Sequence, residues 1–471
     1  MAVISLMLAA VLAASALALS PTTITPPENI SLSFPGVCGP ACQAAYAQGL
    51  PYDSSVWVHP NVSEDPFYGT PKDFSDYSVG DMIKFEDVST EDSTGLWWVP
   101  SGLSLSRFFY VSQDIDDKPL PATGYVLMPY RNPLGSNETF RVVVWAHGTA
   151  GFTPQCAPSN NRGLQYNWMA PFILAQQGYV VIAPDYAGQG SQIPQGFMYN
   201  AGIPHAADVS LAIKAARQEF GDLMKHEWVV VGHSEGGLTA WRTAQREADP
   251  KKAVGGLIGA VAIAPAVEVM NLVPWVIEKA HGGPLKEIFL PFMLRSISRL
   301  LPSFDLTKYL TDKLIKLTKI STDACLNVAI PLLGNLTLNE MYLNNANFTS
   351  APEVQEWNEK YQGKGAYELG SPMLVLHGEE DFIIPHEHIE SVFDEQCETF
   401  PNSTAQYMLL PGLDHDGSVT GSPSVYFPWI ADRFSKKELK AGCTKGEVVT
   451  ATDRFSTVEQ TWLSGGEVLT E

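Results

Sequence analysis

Gly232-His233-Ser234-Glu235-Gly236-Gly237 sets a serine in the pattern G-x-S-x-G. The apolar run Val229–Val231 precedes it, and a helix-permitting stretch, 238–247, follows. A strand, one sharp turn and a helix would lift a serine hydroxyl clear of its neighbours, as nucleophilic attack on an acyl carbon demands. Glycines two residues to either side remove the side chains that would collide across so tight a turn. The hydroxyl would sit at a helix N-terminus, where backbone N–H groups and the helix dipole favour negative charge. A glycine-flanked serine acting only as an N-cap is the competing explanation. The remainder of the chain decides between them.

A serine nucleophile needs a base, an acid to orient that base, and donors for the oxyanion. One chain order for such groups is serine, then acid, then histidine, each at the end of a strand. The run Met373–Leu376 leads into His377-Gly378-Glu379-Glu380-Asp381, and Asp381 is the candidate acid, with Glu379 and Glu380 as neighbours that compete for the role. The run Tyr407–Leu410 leads into Pro411-Gly412-Leu413-Asp414-His415-Asp416, and His415 is the candidate base. Asp414 and Asp416 either raise its basicity or only solvate the loop. For the oxyanion, the first donor is the backbone N–H of Glu235, the residue after the serine. The second comes from Trp145-Ala146-His147-Gly148-Thr149-Ala150-Gly151, with Thr149 as donor and Gly148 permitting close backbone approach. His386-x-His388, with Glu387 and Glu379, lacks the helix-borne H-E-x-x-H spacing of a catalytic metal site. No metal and no cofactor is expected. Pro184-Asp185-Tyr186-Ala187-Gly188 lacks the spacing and lysine of a phosphate loop and reads as an edge of the site.

The elements that must position these groups alternate in type. Continuous apolar runs at 142–146, 179–183, 229–231, 257–264, 373–376 and 407–410 have the character of strands buried on both faces. Helical stretches, for example 207–220 and 238–247, lie between them. The expected fold class is α/β, with a mainly parallel central sheet and helices on both faces, and the order serine, acid, histidine is that of the α/β-hydrolase fold. Function then belongs at the carboxyl ends of the strands. Short β-like runs at 96–99, 107–111 and 124–128 suggest antiparallel strands leading that sheet. A helical insertion at about 267–351 breaks the rhythm. Leu306, Leu310, Leu314 and Leu317 mark one apolar face, and 288–294 is strongly apolar. This insertion is expected to cap an apolar acyl pocket, since pockets and lids are commonly built from such segments.

The 471 residues fit one enlarged α/β domain, and 45% hydrophobic against 17% charged residues allow a large core. A net charge of −21 argues against nucleic acid as a partner. Residues 1–20 are apolar and small, with Ala14-Ser15-Ala16 and Ala16-Leu17-Ala18 as cleavage sites, and read as a signal peptide ahead of a domain at 21–471. No Lys or Arg precedes Lys72, so the positive charge that usually opens such a leader is left to the amino terminus. No other run is long enough for a membrane span. Cys38, Cys42, Cys156, Cys325, Cys397 and Cys443 form an even set that suits disulfides in an exported chain, with fifteen pairings open. Asn29, Asn61, Asn137, Asn335, Asn347 and Asn402 stand in glycosylation sequons. The polar stretch Gly446–Glu471, after Cys443, reads as a loosely held tail.

Taken with Cys156-Ala157-Pro158-Ser159 and Ala183-Pro184-Asp185-Tyr186-Ala187-Gly188, the serine and oxyanion motifs resemble the fungal-type secretory lipases of the α/β-hydrolase superfamily. The resemblance runs from roughly Arg107 to His415. It implies a capped, secreted ester hydrolase working without a cofactor. It also implies bonds Cys156–Cys325 and Cys397–Cys443, leaving Cys38 and Cys42 as a local pair. The expected function is hydrolysis of lipid-like or other apolar esters through an acyl-enzyme. The alternatives are deacylation of a secondary metabolite, a serine peptidase of the same fold, and a non-catalytic binding module. Contact with a lipid interface is compatible with this chain; oligomeric state and acyl-chain length are not legible.

Overall fold

Val142, Val143 and Val144 are wholly buried, as are Val180, Val181 and Ile182 on one side and Val229, Val230 and Val231 on the other. β-Branched side chains pack well on a pleated surface, and a strand covered on both faces has no polar side to offer. The computed structural model describes residues 39–89, 95–165, 170–321 and 325–450. The expected signal peptide, Asn29 and Cys38 lie outside those residues, as does most of the polar tail.

In the described residues the strands are β1 (Met82–Asp87), β2 (Leu103–Gln113), β3 (Pro119–Pro129), β4 (Phe140–Ala146), β5 (Val180–Pro184), β6 (Met224–His233), β7 (Leu257–Ile263), β8 (Met373–Gly378), β9 (Ala405–Leu410) and β10 (Cys443–Glu447). They form one sheet in the order β1-β2-β3-β5-β4-β6-β7-β8-β9-β10. The pairs β1–β2, β2–β3 and β3–β5 are antiparallel, and every pair from β5–β4 to β9–β10 is parallel. This is the mainly parallel α/β-hydrolase sheet expected from the apolar runs. The chain leaves β4 for β5 on one side and returns to β6 on the other. A crevice opens at such a switch point, at the carboxyl end of β4.

Two expectations need correction and one strand was not foreseen. Residues 96–99 are not in the sheet. Trp97 is buried instead against the loop at 158–162, with its indole N–H donating to the Ser159 carbonyl at 3.0 Å and its ring under Arg107. Gly95 and Pro100 bound the run too closely for a ladder. The first two residues of the supposed tail, Gly446 and Glu447, close β10, which pairs in parallel with β9 and is tied by Cys443 to Cys397 of the helix His386–Thr399. β1 has no clear strand signal in the sequence, because Lys84, Glu86 and Asp87 interrupt its apolar pattern. Those charges suit an edge strand, where they discourage pairing with another chain.

Between β7 and β8 the chain runs through mostly short helices, including Val273–Lys279, Leu290–Leu300, Asp312–Ser321 and Leu326–Leu333. Leu310, Leu314 and Leu317 are buried, but the helix carrying the last two starts only at Asp312, and Leu306 begins a separate 3-10 turn. Lys308, Lys316 and Lys319, in the same stretch, are exposed. Asp53, on the helix Pro40–Val56, accepts from the Cys325 backbone N–H and the Asn327 side chain at 2.8 Å each, and so caps the helix Leu326–Leu333.

Candidate active site

Ser234 occupies the turn between β6 and the helix Glu235–Arg246 with φ 58° and ψ −119°. L residues rarely adopt that backbone, and it persists where the surroundings over-determine it. Here the Ser234 N–H donates to the Ile263 carbonyl at 2.9 Å, while its carbonyl accepts from Leu238 and Ala266 at 3.0 Å each. A Cβ on Gly232 would strike the Gly236 carbonyl, and one on Gly236 would strike the Ala146 carbonyl. The glycines flanking the serine are thus required by contact, and Gly236 brings the helix against the start of the 147–151 loop.

Asp381 and His415 follow β8 and β9, neighbours in the sheet, and meet: His415 Nδ1 lies 2.7 Å from Asp381 Oδ2, and both residues are buried. The other Asp381 oxygen accepts the backbone N–H groups of Ile383 and Ile384 at 2.9 Å each. Burial pushes the Asp381 carboxyl up, but His415 and His377 outweigh it and hold the group well below the ordinary carboxylate range. Burial likewise opposes a proton on His415, yet Asp381, with help from Asp416 and Asp414, leaves it above the ordinary histidine value. Glu379 and Glu380 are exposed. Their backbone N–H groups donate to Leu410 and Leu413, lacing the two loops together. Asp414 accepts from the Gly417 N–H at 2.6 Å.

Two histidines that carried no role in the motif reading support this arrangement. His377 Nε2 lies 3.2 Å from Asp381 Oδ2 and 2.9 Å from the Ile384 carbonyl. His233, beside the serine, places Nε2 3.0 Å from the His415 carbonyl, with the two rings 4.8 Å apart. Both follow apolar runs at strand ends, the one signal that would have singled them out.

The 147–151 loop is tightly held. Tyr186 donates to the His147 carbonyl at 2.9 Å, and the Thr149 hydroxyl is 2.8 Å from that of Tyr199. His147 Nδ1 is 2.7 Å from the Gly148 carbonyl. Cys156 bonds to Cys325, and Phe152 stacks on Phe292 of the helix Leu290–Leu300 with centroids 3.3 Å apart. The loop is thereby fastened to the helical insertion. Cys42 is disulfide-bonded as well, but its expected partner Cys38 falls outside the described residues.

Ser234 opens into a cavity of about 360 Å³. Val269, Leu272, Val276, Leu285, Phe289 and Met293 supply much of its wall from the insertion, and Ile383 and Ile384 from the acid loop. Lys279 on its rim donates to the Phe382 carbonyl at 2.9 Å. The arrangement can hold an apolar acyl group beside a serine hydroxyl. His388 Nε2 lies 2.9 Å from the Val267 carbonyl, and His386 sits 3.4 Å from Glu387. Among the described residues no three His, Cys, Asp or Glu are grouped to hold a metal. Asn61, Asn137, Asn335, Asn347 and Asn402 are all exposed. Among the described residues no helix is long and apolar enough to cross a membrane.

Residues 172–417 match the family described as Serine aminopeptidase, S33. A secreted triacylglycerol lipase of Malassezia globosa is 23% identical over 412 residues, covering 82% of this chain and 84% of that protein. Lipase 4 of Candida albicans is 24% identical over 406 residues, covering 81% and 83%. Among solved structures, lipase A of Candida antarctica superposes with a TM-score of 0.67 at 18% identity, over 86% of this chain and 93% of that one. The rice cell wall degrading esterase of Xanthomonas oryzae gives 0.59 at 16% identity, over 77% and 100%. These likenesses agree with the fold and with the secretory-lipase resemblance drawn from the motifs.

Proposed function

We propose that this chain, which belongs to the family described as Serine aminopeptidase, S33 and has the α/β-hydrolase fold, is a secreted lipase or carboxylesterase that cleaves apolar carboxylic esters through an acyl-enzyme on Ser234. The buried contact of His415 with Asp381, at the carboxyl edge of the sheet that also carries the Ser234 turn, is the observation that carries this reading. The apolar cavity at Ser234 supports an acyl group of lipid-like character. The secreted lipases among the relatives favour the same substrate class. Exposed sequons and two disulfides favour export, with a leader at 1–20 and one hydrolase domain at 21–471 capped at 267–351.

In the mechanism, Ser234 Oγ attacks the acyl carbon while His415 Nε2 takes its proton. The carbonyl π pair moves onto oxygen, where the Glu235 N–H and Thr149 donate to it and Gly148 leaves room for the approach. Asp381 keeps the proton on Nδ1 and stabilises the imidazolium. The imidazolium then protonates the leaving alkoxide as its C–O bond breaks, leaving acyl-Ser234 and an alcohol. Water, deprotonated by His415, attacks that acyl group and releases a carboxylic acid and the free serine.

The test is labelling by a fluorophosphonate together with turnover of p-nitrophenyl esters and aminoacyl anilides. Labelling abolished in Ser234→Ala, with ester turnover, is expected. Turnover of anilides alone would replace the reading by a peptidase, and no labelling at all would replace it by a binding module.

A further inference from the structure

The side chain next to the serine is unusual in its setting. Glu235 is 1% exposed. Its Oε1 accepts the Asn200 N–H at 2.7 Å, and its Oε2 is buried without a hydrogen-bond partner. Asn200 holds a left-handed backbone, φ 54°, that points this N–H at the acid. Among the described residues no lysine or arginine pairs with Glu235. The ionisable group facing it is His205 of the helix Gly202–Phe220, with Nδ1 3.6 Å from Oε1. That ring is stacked between Tyr186 and Phe197 at 4.3 and 5.5 Å, and His147 lies beyond Tyr186. From the insertion the neighbour is Met293, whose sulfur is 3.7 Å from the Asn200 amide. His233, which precedes the serine, packs its ring against that of His415 at 4.8 Å. The nearby cation on the same helix, Arg242, is spent on Gln245 and the Gln362 carbonyl.

A lone carboxylate in such surroundings loses its hydration and gains one backbone hydrogen bond, which is a poor exchange. Passing its proton to His205 would create two buried charges, and the cost of dehydrating both outweighs the attraction of the stacked Tyr186 and Phe197 rings for the cation. Burial pushes Glu235 up to about 8 and His205 down to about 3, so both stay neutral. The backbone N–H of this same residue is the proposed oxyanion donor.

We infer that Glu235 is a positioning residue whose side chain must remain a neutral acid for its own N–H to stabilise the oxyanion, so that its ionisation switches ester hydrolysis off on the alkaline side. This rests on the ester-hydrolase reading above. A carboxylate next to the serine sets negative charge against the developing oxyanion, where low polarity screens it weakly. It would also draw the Asn200 N–H harder and shift the helix start that carries the donor.

The test compares the shape of the pH profile of kcat/KM for a p-nitrophenyl ester in wild type, Glu235→Gln and His205→Phe. Wild type is expected to fall about tenfold per pH unit above the Glu235 midpoint. Glu235→Gln is expected to lose that limb, and His205→Phe to keep it. Infrared difference spectra between mild acid and alkali are expected to show a protonated carboxyl band in wild type that Glu235→Gln lacks. That readout needs no turnover, so it still judges Glu235 if the protein proves to cleave no ester. An alkaline limb unchanged in Glu235→Gln, a limb lost in His205→Phe, or no carboxyl band assignable to Glu235 would each overturn the inference.

Discussion

The carboxyl edge of the sheet and the helical insertion above it hold their residues in different ways. At the sheet edge, the registers of β6, β7, β8 and β9 carry the loops with Ser234, Asp381 and His415, and backbone hydrogen bonds lace those loops together. In the insertion, position depends chiefly on side chains, beside one backbone bridge between Gly151 and Cys325: Cys325 on Cys156, Phe292 on Phe152, Lys279 on the Phe382 carbonyl. Backbone ladders are stiff and tolerate little variation, whereas side-chain packing can be altered one residue at a time. On the proposed reading, reaction chemistry belongs to the first region and substrate choice to the second. Substitutions at the edge should lower turnover of every ester alike, and substitutions above it should change which ester is turned over.

Ser234→Ala should do the most damage, lowering kcat about 10⁶-fold on short and long esters alike, with thermal unfolding and circular dichroism essentially unaltered. A loss confined to long esters would break the division. Asp381→Asn should cost about 10⁴-fold in kcat, while Glu379→Gln and Glu380→Gln, whose side chains are exposed, should stay within about threefold. Equal losses from all three would mean that burial does not mark the acid.

Replacing the bonded pair, Cys156→Ser with Cys325→Ser, should lower stability by about 2–4 kcal/mol, read from denaturant unfolding. It should also reduce kcat, because the loop bearing Thr149 loses its tether to the insertion. Met293→Trp fills part of the cavity. It should lower the ratio of long- to short-chain kcat/KM by about tenfold, since each buried methylene is worth about 0.8 kcal/mol. Short esters should be spared, and a uniform loss would merge the two regions again.

Acidity sharpens the contrast further. His415 lies above the ordinary histidine value, so activity should be lost as pH falls through a midpoint above 6.5. Stability should behave differently. Burial raises Asp208 and Glu287 to about 7 and Glu235 to about 8. Above their ordinary values these acids are ionised in the unfolded chain but protonated in the fold, so stability falls as pH rises to about 8. Burial lowers His147 to about 4 and His205 and His233 to about 3. The unfolded chain takes up protons there first, so below 6.5 these three histidines offset much of the gain from the acids, to which Asp53 and Asp185 add at about 6, and stability levels off in mild acid. The melting temperature should therefore peak in mild acid and decline by a few degrees toward about pH 8.5, the smallest of these effects.

The amino-acid sequence by itself determined the strand, turn and helix around Ser234, the order serine, acid, histidine, and the strand ends that bear them. Those features are local: a valine run, a glycine where a Cβ would collide, a loop after a strand. The inward helices of the insertion were legible only in outline, since their packing partners lie far along the chain. Tertiary structure alone decided that Asp381 and not Glu379 or Glu380 is buried against His415, that His377 and His233 brace this pair, and that Glu235 is shut in with Asn200 and His205. A buried polar contact depends on what several distant segments place around it, and no local pattern records that.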